Sequence, residues 1–183
     1  GLSFRHFLAG RLPVLPGQRP VLDDWVNHLS TVFPQVRMKR FLEMRGADAG
    51  GSVSRVTALA ALWAGLLYDP QALDRAWETA RAWSAEERRV LERDVIQHGF
   101  QTPFRGQTVR ELCLWMLDLA RQGRKRHGCV DADGRDESAY LDPLLEAAEA
   151  GRTFAEQLLH RFEHQWQGDM DLALRGLCEE TLS

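Results

Sequence analysis

Glu43 and Arg45 stand two residues apart in RMKRFLEMRGAD, Arg37 to Asp48, and side chains at that spacing share one face of an extended strand. On that face Arg37, Lys39 and Phe41 accompany them, while Met38, Arg40, Leu42 and Met44 lie on the other. One side is therefore charged and the other mainly apolar. A carboxylate beside guanidinium groups suits a site for metal and phosphate, because phosphoryl transfer is helped by cations placed where charge accumulates. Arg also forms the forked contact to phosphate or carboxylate that Lys cannot. The plain structural reading of the same residues is an ion pair on a half-exposed strand, worth little to stability.

The elements around this stretch read as helices. Ser3 caps a short helix to Leu8, and Pro13, Pro16 and Pro20 then impose an extended connection. Asp23 and Asp24 open an amphipathic helix carrying Trp25, Val26, Leu29 and Phe33, which Pro34 closes. After the strand come a mostly buried helix over 53–68, one introduced by Asp69 and Pro70 and running through Trp83, and one over 85–97. Ser84 with Glu87, and Thr153 with Glu156, have capping-box spacing. Further helices are predicted over 108–125, 143–150, 153–166 and 170–182. A single strand over 37–46 leaves its backbone groups unpaired, so its partner strands are expected to be missing from this sequence, and if it is ordered it must pair with another copy of the chain, as in a homo-oligomer, or with the 1–20 segment.

Bulk composition narrows the function classes. A length of 183 residues, 44% of them hydrophobic, supports a real core, and the net charge of −3 provides no global field for nucleic acid or anionic membrane. The apolar run Ala58 to Tyr68 is too short to span a bilayer, and no basic or cleavable leader is visible. Three cysteines, Cys113, Cys129 and Cys178, form neither a disulfide framework nor a zinc pattern, so free thiols in a reducing, cytoplasmic setting are expected. His160, Glu163 and His164 match a metallopeptidase spacing but lack a third ligand downstream, and read as a solvated helix face. Asp131, Asp133 and Asp136 fail the calcium-loop pattern. The basic end of the long helix, Arg121 to His127, complements its own dipole. The six tryptophans fall mostly on apolar helical stripes, where core packing is expected.

FPQVRMKRFLEMRGAD, with FRHFLAGRLP before it and ALAALWAGLLYD after it, strongly resembles the plant and proteobacterial type of glutamate–cysteine ligase. WSAEERRVLERDV, TPFRG and TFAEQLLHRFEHQW are similar to the helical C-terminal portion of that family, whose members are considerably longer at the N-terminal side. The resemblance implies an ATP-dependent ligation of glutamate to cysteine, giving γ-glutamylcysteine, with ATP and Mg²⁺ required and glutamate, cysteine and ATP as the small-molecule partners. Glu43 then corresponds to a magnesium ligand and Arg45 to a catalytic and substrate-binding residue, with Arg55 a site-flanking charge. Val14 and Thr57 stand where plant members carry cysteines, which points to a bacterial origin.

The fold expected is α+β, a mostly helical C-terminal array plus a strand of an incomplete antiparallel catalytic sheet, as in the glutamine-synthetase-like superfamily. Residues 1–52 are expected to form the C-terminal part of the catalytic domain and 53–183 a helical region packed on its sheet. As a fragment the chain should be inactive alone. Two other readings remain, a non-catalytic helical protein-interaction module on the same scaffold and a related carboxylate–amine ligase.

Overall fold

The computed structural model describes residues 2–48 and 50–182, the last four of these by backbone alone. The chain forms two compact units, residues 1–48 and 49–183, and its class is α+β.

In the first unit, α1 (Phe4–Leu8) starts where the Ser3 hydroxyl accepts the Arg5 amide. Helix α2 (Leu22–Ser30) ends three residues earlier than its apolar pattern predicts. Ser30 and Thr31 donate their hydroxyls to the carbonyls of Asn27 and His28 at 2.6 and 2.7 Å, which closes the last turn before the β-branched pair Thr31 and Val32. Phe4 stacks on His28 with ring centroids 4.5 Å apart and tilts against Trp25 at 5.2 Å. That aromatic group ties α1 to α2.

The single strand expected over 37–46 is instead a hairpin. β1 (Val36–Met38) and β2 (Leu42–Met44) pair antiparallel, with Val36 opposite Met44, Arg37 opposite Glu43 and Met38 opposite Leu42. Folding back on itself satisfies backbone groups that one extended run leaves orphaned, and sets opposite charges across from each other. The pairing therefore needs neither a second copy nor the 1–20 segment.

The second unit is helical: α3 (Val53–Leu67), α4 (Pro70–Arg81), α5 (Ala85–His98), α6 (Val109–His127), α7 (Asp142–Ala150), α8 (Phe154–His164) and α9 (Met170–Leu182). Both expected capping boxes form, with Glu87 accepting the Ser84 amide and Glu156 the Thr153 amide, each at 2.7 Å. A third, Thr108 with Glu111, starts α6. Its core gathers Ala61, Leu66, Leu117, Leu119, Ala120, Leu141 and Ala148 from α3, α6, α7 and the 3-10 turn at 137–141.

Between the helices predicted over 85–97 and 108–125, the TPFRG segment makes a second hairpin, β3 (Pro103–Phe104) and β4 (Gln107–Thr108). Arg105 and Gly106 turn it with φ of 51° and 81°, the left-handed pair that a two-residue hairpin needs. Arg105 is held there by its Nη1, which donates to the Ala82 carbonyl at 2.8 Å, while Phe104 meets Trp83 edge-on at 4.9 Å.

The basic end of α6 is spent inside its own unit. Arg121 pairs with Asp142, Arg124 with Glu137, and Arg126 with Asp69. The tryptophans divide: Trp166 is buried, whereas Trp77 is 61% exposed and departs from the core role predicted for it. Among the described residues no helix is long and apolar enough to cross a membrane.

Candidate functional site

The β1–β2 hairpin displays the charged residues. The Arg45 amide donates to the Gln35 carbonyl at 2.8 Å, extending the pairing by one step beyond β2, and a three-residue turn closes the other end, where the Lys39 amide donates to the Phe41 carbonyl at 2.8 Å. A Cβ at Gly46 would meet Gln35 Oε1, the movable end of a side chain, at 2.5 Å.

Glu43 takes its ion pair from Arg37 across the strands, not from Arg45. Arg37 Nε donates to Glu43 Oε2 at 2.6 Å, with both side chains partly exposed. That hydrogen bond holds the Glu43 carboxyl below its ordinary value of 4.5; partial desolvation opposes it, and the charges of Arg37, Lys39 and Arg45 add to the lowering. Glu43 is thus a carboxylate at neutral pH. Arg37 was legible as a same-face neighbour, but only the hairpin turn makes it the direct partner.

Arg45 lies with its guanidinium carbon 5.5 Å from the Phe33 ring centroid. Its Nη1 is shielded from solvent and has no hydrogen-bond partner among the described residues. A buried guanidinium donor is rarely left without an acceptor, so this one is available to an anion.

Arg55 belongs to the second unit. It sits in the first turn of α3, where the Ser52 hydroxyl accepts its amide at 3.3 Å. Its guanidinium stacks 3.8 Å over the Phe154 ring and donates to the Gly50 carbonyl at 3.3 Å and Gln157 Oε1 at 3.4 Å. Phe154 and Gln157, both on α8, had no signal in the sequence that linked them to position 55. The structure therefore brings Glu43 and Arg45 together on one hairpin, and fixes Arg55 within the helical unit through α8.

Neither histidine motif nor aspartate loop forms a metal centre in the described residues. The His160 and His164 rings are tilted at 56° with centroids 4.4 Å apart, and no group of three His, Cys, Asp or Glu side chains that could hold a metal is gathered. Asp131 Oδ1 is occupied by the amides of Asp133 and Arg135, each at 2.9 Å.

An ionised glutamate and an arginine donor without a partner among the described residues, on one hairpin of an α+β chain, are groups able to hold a cation and an anion. Residues 7–180 match the model of glutamate-cysteine ligase family 2 (GCS2), and the chain belongs to that family. The chloroplastic glutamate–cysteine ligase of Medicago truncatula is 43% identical over 171 residues, which cover 93% of this chain and 32% of that protein. Glutamate–cysteine ligase A, chloroplastic, of Oryza sativa subsp. indica is 44% identical over 177 residues, 97% of this chain and 35% of that protein. The chain spans about a third of the length of these curated relatives.

These relatives correct the cytoplasmic expectation, since they are chloroplastic proteins. Free thiols and a mixed-charge surface suit any reducing aqueous compartment, and composition does not separate one from another. The relatives named are also plant proteins and give no support to the bacterial origin expected from Val14 and Thr57.

Proposed function

We propose that the chain is part of a glutamate–cysteine ligase of the glutamine-synthetase-like superfamily, joining the side-chain carboxylate of glutamate to the amino group of cysteine with cleavage of ATP. The carboxylate takes the terminal phosphoryl group of ATP, and the cysteine nitrogen then displaces phosphate to give γ-glutamylcysteine, the first step of glutathione synthesis. Residues 1–52 belong to the catalytic domain, and 53–183 form a helical region.

The observation that carries this reading is the Arg45 Nη1 donor, enclosed and without a partner, on the same hairpin as an ionised Glu43. Arg45 binds the substrate carboxylate and the transferred phosphoryl group through its fork. Glu43 is a hard oxygen donor of the kind Mg²⁺ prefers, and the bound ion supplies positive charge to the phosphates. Glu43 alone does not fill a Mg²⁺ coordination shell, and no group of three or more His, Cys, Asp or Glu side chains gathers among the described residues. Arg55, held within the second unit by Phe154 and Gln157, is the third residue that the family resemblance assigns to substrate binding.

Replacing the aligned third of the Medicago truncatula enzyme by this chain tests the proposal. The chimera should form γ-glutamylcysteine, and the 183-residue chain alone should form none. Glu43→Gln should raise the Mg²⁺ needed for half-maximal rate about tenfold or more, by analogy with the losses caused when a ligand set is disturbed. Arg45→Lys should lower kcat more than it raises KM. A folded chimera without activity, or one indifferent to both substitutions, overturns the reading.

A further inference from the structure

None of the described residues of the first unit is buried, and that fact sets it apart from the second unit, which has a core. Helix α2 carries Leu22, Val26 and Leu29 at spacings of four and three, a stripe along the helix, and Phe33 follows three residues past its end. Those four side chains are 75%, 56%, 51% and 73% exposed. The hairpin repeats the pattern. On its face opposite the Arg37 and Glu43 pair, Met38 and Leu42 stand across from each other and are 82% and 63% exposed.

A unit of this size with no buried side chain cannot offset the entropy of ordering its chain, and an isolated two-stranded hairpin is marginal in water. Apolar faces this contiguous mark an interface. From these faces we infer that the first unit is an internal docking element, covered along the α2 stripe and the Met38 and Leu42 face by the part of the same enzyme that lies outside this chain.

Two observations favour that occupant over a second copy. The relatives match 93–97% of this chain, the first unit included, yet are about three times longer, so about two thirds of each polypeptide is available to cover these faces. The stripe also runs over only a nine-residue helix and its exit, too short for a coiled-coil seam with a second copy. The inference rests on family membership and not on the chemistry proposed for Glu43 and Arg45. Its test accordingly reads amide exchange and never activity.

Hydrogen exchange is measured by mass spectrometry on the chain alone and on the Medicago truncatula chimera that contains it. Amides of 22–33 should exchange at least tenfold more slowly in the chimera, and Leu29→Asp should abolish that protection there while leaving exchange of the isolated chain unchanged. Equal exchange in the two contexts overturns the inference. So does protection of 22–33 in the isolated chain that grows with protein concentration, because a second copy is then the occupant. If the chimera does not fold, the same comparison is made on the unaltered relative, intact and as its excised aligned segment, with the same two outcomes.

Discussion

Gly123 on α6 faces Gly65 on α3 so closely that a Cβ on residue 123 would stand 2.1 Å from the Gly65 carbonyl oxygen. The reverse substitution meets backbone as well, since a Cβ on residue 65 would lie 2.3 Å from the Ala120 oxygen. The obstacle is main chain in both cases, so no rotamer change relieves it. Ala gains about 1 kcal/mol of helix propensity over Gly, but overpacking a core costs about 1–3 kcal/mol, and more when backbone must move. Gly65→Ala and Gly123→Ala should each therefore destabilise the second unit by about 2 kcal/mol or more, seen as a lower urea midpoint with unchanged slope.

Asp69 links the start of α4 to the end of α6. Its carboxylate accepts from Arg126 Nη2 at 2.6 Å and Nε at 2.9 Å, and caps α4 by accepting the Ala72 amide at 2.8 Å. The Arg126 guanidinium holds the Asp69 carboxyl well below its ordinary 3.8, at about 2, with desolvation opposing and the Ala72 amide adding to the effect. A carboxyl with a depressed folded pKa contributes stability that is present above its unfolded value and lost as pH falls through the folded one. The stability difference between the wild type and Asp69→Asn should thus be constant above about pH 5 and shrink between about pH 4 and 2. Urea midpoints collected across that range check it; a difference that does not vary with pH would count against the ion pair.

Arg55 reaches α8 across about a hundred residues of chain, and its stacking on Phe154 is the contact that a conservative change removes selectively. Phe154→Leu keeps apolar bulk but loses the ring face, so it should cost about 0.5–1 kcal/mol beyond its packing change. Arg55→Lys should cost a comparable amount, since Lys cannot bond Gly50 and Gln157 together while lying flat. In a double-mutant cycle the two should be coupled by at least about 0.5 kcal/mol. Additive effects would show that the stacking does not hold α8 in place.

Helix starts were the most legible part of the fold, because each is written locally. Ser84 with Glu87, Thr153 with Glu156, and Asp69 before Pro70 name their own positions through side chains that reach only three residues. The hairpin was not legible for the opposite reason. Lys39, Arg40 and Phe41 include no Gly, Pro, Asn or Asp, so the alternation of a strand continues unbroken through what is a turn. Of the candidate site, Glu43 and Arg45 were visible as residue types. The partner of Glu43 depends on cross-strand register, and the partners of Arg55 on tertiary packing, neither of which leaves a period in the sequence.

Arg37 is the residue that sets the charge state of Glu43, and its effect can be measured without any catalysis. Because Arg37 Nε donates to Glu43 Oε2 at 2.6 Å, the carboxyl titrates below 4.5, and the added charges of Lys39 and Arg45 act in the same direction. Arg37→Gln removes the guanidinium and its hydrogen bond, leaving only the charges of Lys39 and Arg45 to lower the carboxyl. A carbon-detected NMR titration of the Glu43 carboxyl should show its midpoint below 4.5 in the wild type and displaced upward in Arg37→Gln. A cation bound through Glu43 competes with protons for the carboxylate. In the chimera, Arg37→Gln should therefore raise the Mg²⁺ requirement more at acid pH than at neutral pH. An unchanged midpoint would mean that the cross-strand ion pair does not form in solution, and that some other group must keep Glu43 ionised.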